Sequence, residues 1–175
     1  AFGLRRNLDN PLATAPPAPV TPTSGTYSTI GRVAGGIRAE ATLPIGAPES
    51  SVRLSAGVDL QTMRDDRRNQ RSTGGAPTGV FLADQRETVS EIGPFAQLHW
   101  APAASVLLLG AVRYDRLDFR VTDHFLGDGL DNGGQRVMES VSGSGGASIA
   151  LAPSTTLYAN VATSFDSPTT TELVN

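Results

Sequence analysis

Apolar and polar residues take turns along most of this chain, and the alternation restarts after a recurring phrase. Ala-Pro, two further residues, Ser or Thr, then Val or Leu begins at Ala47, Ala101 and Ala152. After the first copy, Val52, Leu54, Ala56, Val58 and Leu60 alternate with Arg53, Ser55, Gly57, Asp59 and Gln61. A period of two gives a strand with one greasy face and one wet face. Its recurrence, with short turns at one end and long polar loops at the other, predicts hairpins of a transmembrane β-barrel.

Composition agrees with that reading. The hydrophobic fraction of 39% over 175 residues is low for a compact soluble core. No apolar run approaches the length of a spanning helix. In a barrel wall only every second residue must be apolar, which reconciles the two facts. Cysteine is absent, excluding disulfides and thiolate chemistry. A net charge of −3 and a pI near 5.3 argue against a nucleic-acid partner. All 14 basic residues are Arg; they suit a lumen lined by bidentate pairs, and a codon preference would give the same count. Nothing at the amino terminus resembles a signal peptide, so the chain is expected to be a piece of something longer or a processed product.

Residues 1–26, rich in Pro, Ala and Thr, read as a loop. Strands are expected at about 27–43, 51–62, 87–100, 105–120, 137–151 and 156–165, with polar loops at 63–86 and 122–136. Pro94 suggests an irregularity in the third strand, and the parity of Leu43 and Val52 suggests a bulge or an extra residue at the first turn. Trp100 and Val106, and Leu151 and Leu157, keep one face across their turns. The fold class is therefore all-β, antiparallel and up-and-down. Six strands are too few to close a membrane barrel, which takes about eight or more, and an open edge in hydrocarbon leaves backbone groups unpaired. The chain reads as part of a larger transmembrane β-barrel.

Particular segments resemble a family. Gly93-Pro94-Phe95-Ala96-Gln97-Leu98-His99-Trp100-Ala101-Pro102, followed by a strand closing on Val112-Arg113-Tyr114-Asp115, is similar to a Phe-Ala-Gln-x-x-Trp-x-Pro strand pair of TonB-dependent outer-membrane receptors. Leu157-Tyr158-Ala159-Asn160 and Ser164-Phe165-Asp166-Ser167-Pro168-Thr169-Thr170-Thr171-Glu172-Leu173 resemble later signatures of the same family, and Asp65-Asp66-Arg67-Arg68 and Gln85-Arg86-Glu87 resemble the loop before the Phe-Ala-Gln strand. The similarity runs from about Ser51 to Leu173. His99, Pro94 and Asp166 depart from the usual pattern.

The resemblance implies a barrel of about 22 strands filled by an amino-terminal plug. It implies a cell outer-membrane location of the Gram-negative type and surrounding outer-membrane lipid. It also implies uptake of a metal chelate (siderophore-like) or similar scarce solute, driven by a TonB-type energy-transducing partner that acts through the plug. No plug is recognised in the sequence, and residues 1–175 read as a partial barrel domain. A passive porin-like or adhesive barrel and a soluble β-sandwich binding module are the alternatives.

Candidate ligand contacts lie in the expected outer loops. Arg64, Asp65, Asp66, Arg67 and Arg68 form a charged cluster that suits an anionic chelate, or a self-neutralised loop base. Asp123, His124, Asp128 and Asp131 offer oxygen and imidazole groups, but their spacing fails the calcium-loop pattern and gives no zinc set. Gln97, His99, Arg113 and Asp115 fall on the inward face, where a plug would meet them, and by the resemblance Glu172 joins them. No metal site, cofactor or catalytic group is expected. No Gly-x-Ser-x-Gly elbow occurs, and His99 is the one candidate base for an outer-membrane hydrolase.

Overall fold

The computed structural model describes residues 1–13, 24–46 and 51–166. They form one antiparallel sheet of seven strands in chain order. The strands are β1 (Phe2–Ala13), β2 (Ser24–Ile45), β3 (Val52–Thr73), β4 (Ala76–Ala103), β5 (Val106–Asp123), β6 (Gly134–Ala152) and β7 (Thr155–Ala162). Among the described residues no second sheet or helix packs on either face, and Phe165 and Asp166, which follow β7, line a cavity with Glu91, Arg113, Asp115 and Leu117. The sheet's stability rests on the ladders and on side chains that meet along each face.

Register converts the alternation into rows. Ile45, Val52, Trp100, Leu108, Ala147 and Ala159 stand opposite one another across β2 to β7. Two residues on, Leu43, Leu54, Leu98, Gly110, Gly145 and Val161 form the next row of that face. On β2 to β4 the apolar face continues to Ile37, Leu60 and Ile92, so there it spans roughly the 9–11 residues with which a tilted strand crosses a bilayer; on β5 and β6 the same row holds Arg116 and Glu139. Many side chains of the apolar face are exposed, such as Leu43 at 62% and Val161 at 73%, with Val112 at 51%, while Val52, Leu54 and Leu108 are half-buried. The opposite face is polar and crowded. Asp65 and Glu87 are fully buried there, and Ser55, Asp59 and Asp115 nearly so. Leu117 and Phe119 are the buried apolar side chains among the described residues. Apolar groups exposed and carboxylates covered is the reverse of a water-soluble domain and the polarity of a barrel wall.

Four expectations are corrected. Residues 2–13 are strand β1, paired from Phe2↔Gly36 to Ala13↔Gly25. Phe2, Leu4, Leu8 and Leu12 alternate with Gly3, Asn7 and Asp9, and Pro11 is tolerated because β1 has a neighbour on one side only in the described sheet. Residues 63–86 are not a loop: β3 and β4 run on to a two-residue turn, Gly74–Gly75, with φ of +61° and +82°. Two successive positive φ values make the hairpin turn that glycine favours. Small register shifts lie near its tip, between Asn69 and Ser72.

The loop expected at 122–136 shrinks to 124–133, between β5 and β6. Finally, Leu43 faces Leu54 and the β2–β3 ladder is unbroken to Ile45↔Val52, so the ladder holds no bulge; the extra turn residue expected as the alternative falls at 47–50, outside the described residues. Opposite residues there simply have numbers of opposite parity. At Pro94 the β4–β5 ladder skips Gly93 and Pro94, then resumes in unchanged register at Phe95↔Arg113.

Candidate functional site: the ion-paired face

Two charged networks occupy the polar face. In the first, Arg113 of β5 is the hub. Its Nε donates to Asp115 Oδ1 at 2.6 Å and its Nη2 to Glu91 Oε1 at 3.0 Å, while Nη1 bonds Asp59 on β3, two strands away. Asp59 also receives Arg38, whose Nε lies 3.0 Å from Oδ1. The Arg38 guanidinium rests 4.8 Å from the Phe95 ring centroid, a cation–π contact. Three carboxylates thus share two guanidinium groups.

Glycine makes the cross-strand reach feasible. A Cβ on Gly93 would stand 2.8 Å from Arg113 Cζ, and one on Gly57 would stand 2.6 Å from Phe95 Cζ. On the same face the Phe2 ring lies over Gly36, 2.7 Å from where its Cβ would be. Each side chain lies flat across a strand that has no side chain at that position.

The second network lies farther from the short turns. Arg32 grips Asp65 with two bonds, Nε to Oδ1 at 2.8 Å and Nη2 to Oδ2 at 2.6 Å. This fork geometry is the strong form of the pair. Glu87, opposite Asp65 in register, accepts from Gln85 Nε2 at 2.7 Å and lies 3.4 Å from Arg67 Nε. Both buried carboxylates therefore face cations or amides, without which their burial would cost several kcal/mol or more.

The cluster Arg64, Asp65, Asp66, Arg67 and Arg68 is split by the strand it forms. Asp65 and Arg67 belong to the polar face just described. Arg64, Asp66 and Arg68 continue the apolar face beyond its last apolar row. There Asp66 accepts from Arg86 Nε at 2.7 Å, and Arg68 Nε lies 3.2 Å from Asp84. The Arg86 bond, assisted by the charges of Arg64 and Arg68, holds the Asp66 carboxyl below its usual range.

In the loop after β5, each aspartate serves the backbone. Asp123 accepts from the Phe125 and Asn132 amides at 2.8 and 3.0 Å and from Asn132 Nδ2 at 3.1 Å. Asp128 caps Leu130, and Asp131 caps Gly133. Those carboxylates order the loop. The His124 amide donates to the Asp84 carbonyl at 2.8 Å, tying the loop to β4. Gln97 and His99 are together on the polar face, 2.7 Å apart, so the one candidate base is engaged by an amide. Glu172 lies outside the described residues.

Sequence reasoning placed Arg113 and Asp115 on this face but did not join them to Asp59, Glu91 and Arg38. Their shared face and the Gly93 gap were the available signals.

Comparison with known proteins bears on this wall. Residues 2–175 match the model of a family described as TonB dependent receptor-like, beta-barrel. The fold is also similar to the crystal structure of FyuA, the ferric yersiniabactin uptake receptor of Yersinia pestis, with a TM-score of 0.55 at 15% identity. That likeness covers 79% of this chain and 21% of the other, so the chain spans about a fifth of FyuA's length.

Proposed function

The chain belongs to the TonB-dependent receptor β-barrel family, and on that premise we propose that it forms one arc of the wall of an outer-membrane receptor that imports a metal chelate or similarly scarce solute. The observation that carries this reading is the inverted polarity of the sheet. One face offers hydrocarbon a band of mainly apolar side chains, edged on β5 and β6 by the Arg116–Glu139 pair, and the other holds its charges in networks. A wall of this kind separates lipid from a hydrated interior. FyuA takes up ferric yersiniabactin, which supports a metal chelate as the solute class.

The ion-paired face is the natural seat for a plug that obstructs the lumen. Arg113, Asp115, Gln97 and His99 would meet it, and Glu172 is proposed to join them. Energy for import would come from a TonB-type protein acting on that plug. The rows beyond the apolar band, with the Gly74–Gly75 hairpin and the loop after β5, stand out toward the medium and would meet the solute first. Arg64, Arg68 and His124 carry the donors there.

The reading is tested by deleting the gene in its own cell, separating inner and outer membranes, and following uptake of a radiolabelled iron chelate under iron limitation. The full-length protein should sediment with the outer membrane, and deletion should abolish uptake that depends on the proton gradient. Uptake that survives dissipation of the gradient would show a passive pore instead.

A further inference from the structure

β7 stops short of its neighbour. It pairs with β6 only from Ala152 to Ser144 and ends at Ala162, while β6 runs on to Gly134. Among the described residues, 134–142 therefore have a neighbouring strand on the β5 side alone. Thr163 closes the β6–β7 ladder. Its amide donates to the Gly143 carbonyl at 2.8 Å, and its hydroxyl accepts from the Gly143 N–H at 3.0 Å, in the place of a strand carbonyl. With that donor satisfied by a side chain, the backbone is released from the sheet.

The chain leaves toward the polar face. Phe165 and Asp166 line a cavity of about 260 Å³ with Leu117 and the Arg113 hub. Phe165 is half-buried there, whereas every residue of β7 is exposed. To reach the hub the chain crosses β6, whose polar-face residues opposite Arg113 and Asp115 are the small Ser142 and Ser140. Residues 163–166 suit the ladder equally well. Continued in register, Ser164, Phe165 and Asp166 would stand opposite Ser142, Val141 and Ser140. Alternation then keeps Asp166 on the polar face and turns Phe165 outward beside Val141, which is 67% exposed on the apolar face. Phe165 thus has an apolar neighbour in either place, and the ladder position also pairs the open edge of β6 at membrane depth.

We propose that residues 163–166 are a two-position strap. Docked, the strap stands in the lumen against the Arg113 hub and narrows the path beside it. Zipped onto β6, it clears that path for a solute. The two positions exchange one hydrogen bond and one apolar contact for close equivalents, which is the near balance that a movable element needs. Thr163 sets that balance, because its hydroxyl holds the Gly143 N–H only while the strap is docked. The clearing role rests on the chain forming the wall of an importer.

The experiment uses the full-length receptor in outer membranes, in a background free of other cysteines; residues 1–175 contain none. Phe165→Cys with Leu117→Cys reads the docked strap. Phe165→Cys with Val141→Cys reads the zipped one, because the wall separates Val141 from the lumen. A short reducible dithiol-bridging reagent is applied, and bridges are mapped by peptide mass spectrometry. Both pairs should bridge, the Leu117 pair more fully. Thr163→Val should shift the ratio toward the Val141 pair about fivefold, the effect of one net hydrogen bond, whereas Thr163→Ser should leave it unchanged. Bridging the Leu117 pair should stop uptake of a labelled iron chelate, and reductant should restore it. Heat-modifiable migration in gels confirms folding, and the native-threonine pairs decide the matter if Thr163→Val fails to fold. A Val141 pair that never bridges, a ratio that folded Thr163→Val does not move, or full uptake with the Leu117 pair bridged would overturn the proposal. If deleting the gene leaves uptake intact, it is the importer reading that is lost, and the bridges alone then judge the strap.

Discussion

The guanidinium of Arg113 crosses Gly93 to reach Asp59. A Cβ at position 93 would also meet Asp115 Oδ1 at 3.0 Å, so the hub exists because β4 has no side chain there. Gly93→Val should force the guanidinium aside and strip a counter-ion from Asp59 and Asp115, whose side chains are 12% and 11% exposed. We expect a loss of about 2 kcal/mol, the cost of leaving covered carboxylates short of a partner. Unfolding in urea, followed by the fluorescence of the single tryptophan, Trp100, measures it.

If Gly93 matters because it admits Arg113, the two positions must be coupled. Arg113→Met removes the same pairs from the other side. The double variant Gly93→Val with Arg113→Met should then cost no more than the worse single change, with a coupling of about 1–2 kcal/mol. Simple additivity would mean that glycine serves the backbone alone.

Much of the fold was legible because hydropathy and geometry share a period wherever the wall meets lipid. Val52 to Leu60 announced their strand and their face. The same chain continuing from Arg64 to Arg71 hid its strand, since above the apolar band both faces are wet and the alternation loses its contrast. Arg64 and Asp66 point one way, Asp65 and Arg67 the other, and composition alone resembles a loop. β1 was hidden similarly by Arg5, Arg6 and Pro11. For the candidate site, the inward face of Arg113 and Asp115 followed from parity, whereas Asp59, two strands distant, became their partner through register. The two-residue turn at Gly74–Gly75 joins β3 to β4, with the register shifting between Asn69 and Ser72 before the main ladder begins, and its Gly-Gly pair was the overlooked signal.

Adjacent residues on opposite faces give the sharpest test of the wall. Val112 lies midway up the apolar band in the row of Ala56 and Ala96, while Ala111 faces Gln97 and Ser144. In the full-length protein refolded into bilayers, Val112→Arg should cost about 2–4 kcal/mol, the depth-dependent charge for a lipid-facing arginine. Ala111→Arg should cost under about 1 kcal/mol. Equal tolerance in equilibrium folding would remove the assignment of faces.

The hairpin tip makes a local prediction. Gly75 sits at φ +82° with nothing near its missing Cβ, so the constraint is conformational. Gly75→Val should cost about 1–2 kcal/mol through left-handed strain and open the tip to proteolysis. Gly74→Asn should be tolerated, because Asn-Gly favours the same turn. Limited digestion of intact cells, mapped by peptide sequencing, separates the two variants.

Acid should act on the loop after β5 through Asp123. Hydrogen bonds from the Asn132 and Phe125 amides, joined by the Asn132 side chain, hold its carboxyl below the usual carboxylate range. A depressed native pKa means that this contribution to loop order is fully present above the unfolded-state value of about 3.9. It is lost as pH falls through the native value. Amide protection at Phe125 and Asn132, corrected for intrinsic exchange, should therefore hold from neutral pH down to about pH 4 and decline only in stronger acid. Asp123→Asn should lower that protection already at neutral pH and remove its acid dependence, since an amide oxygen accepts these bonds more weakly and does not titrate. Protection that fades between neutrality and pH 5, or that Asp123→Asn leaves intact, would show that another group orders the loop.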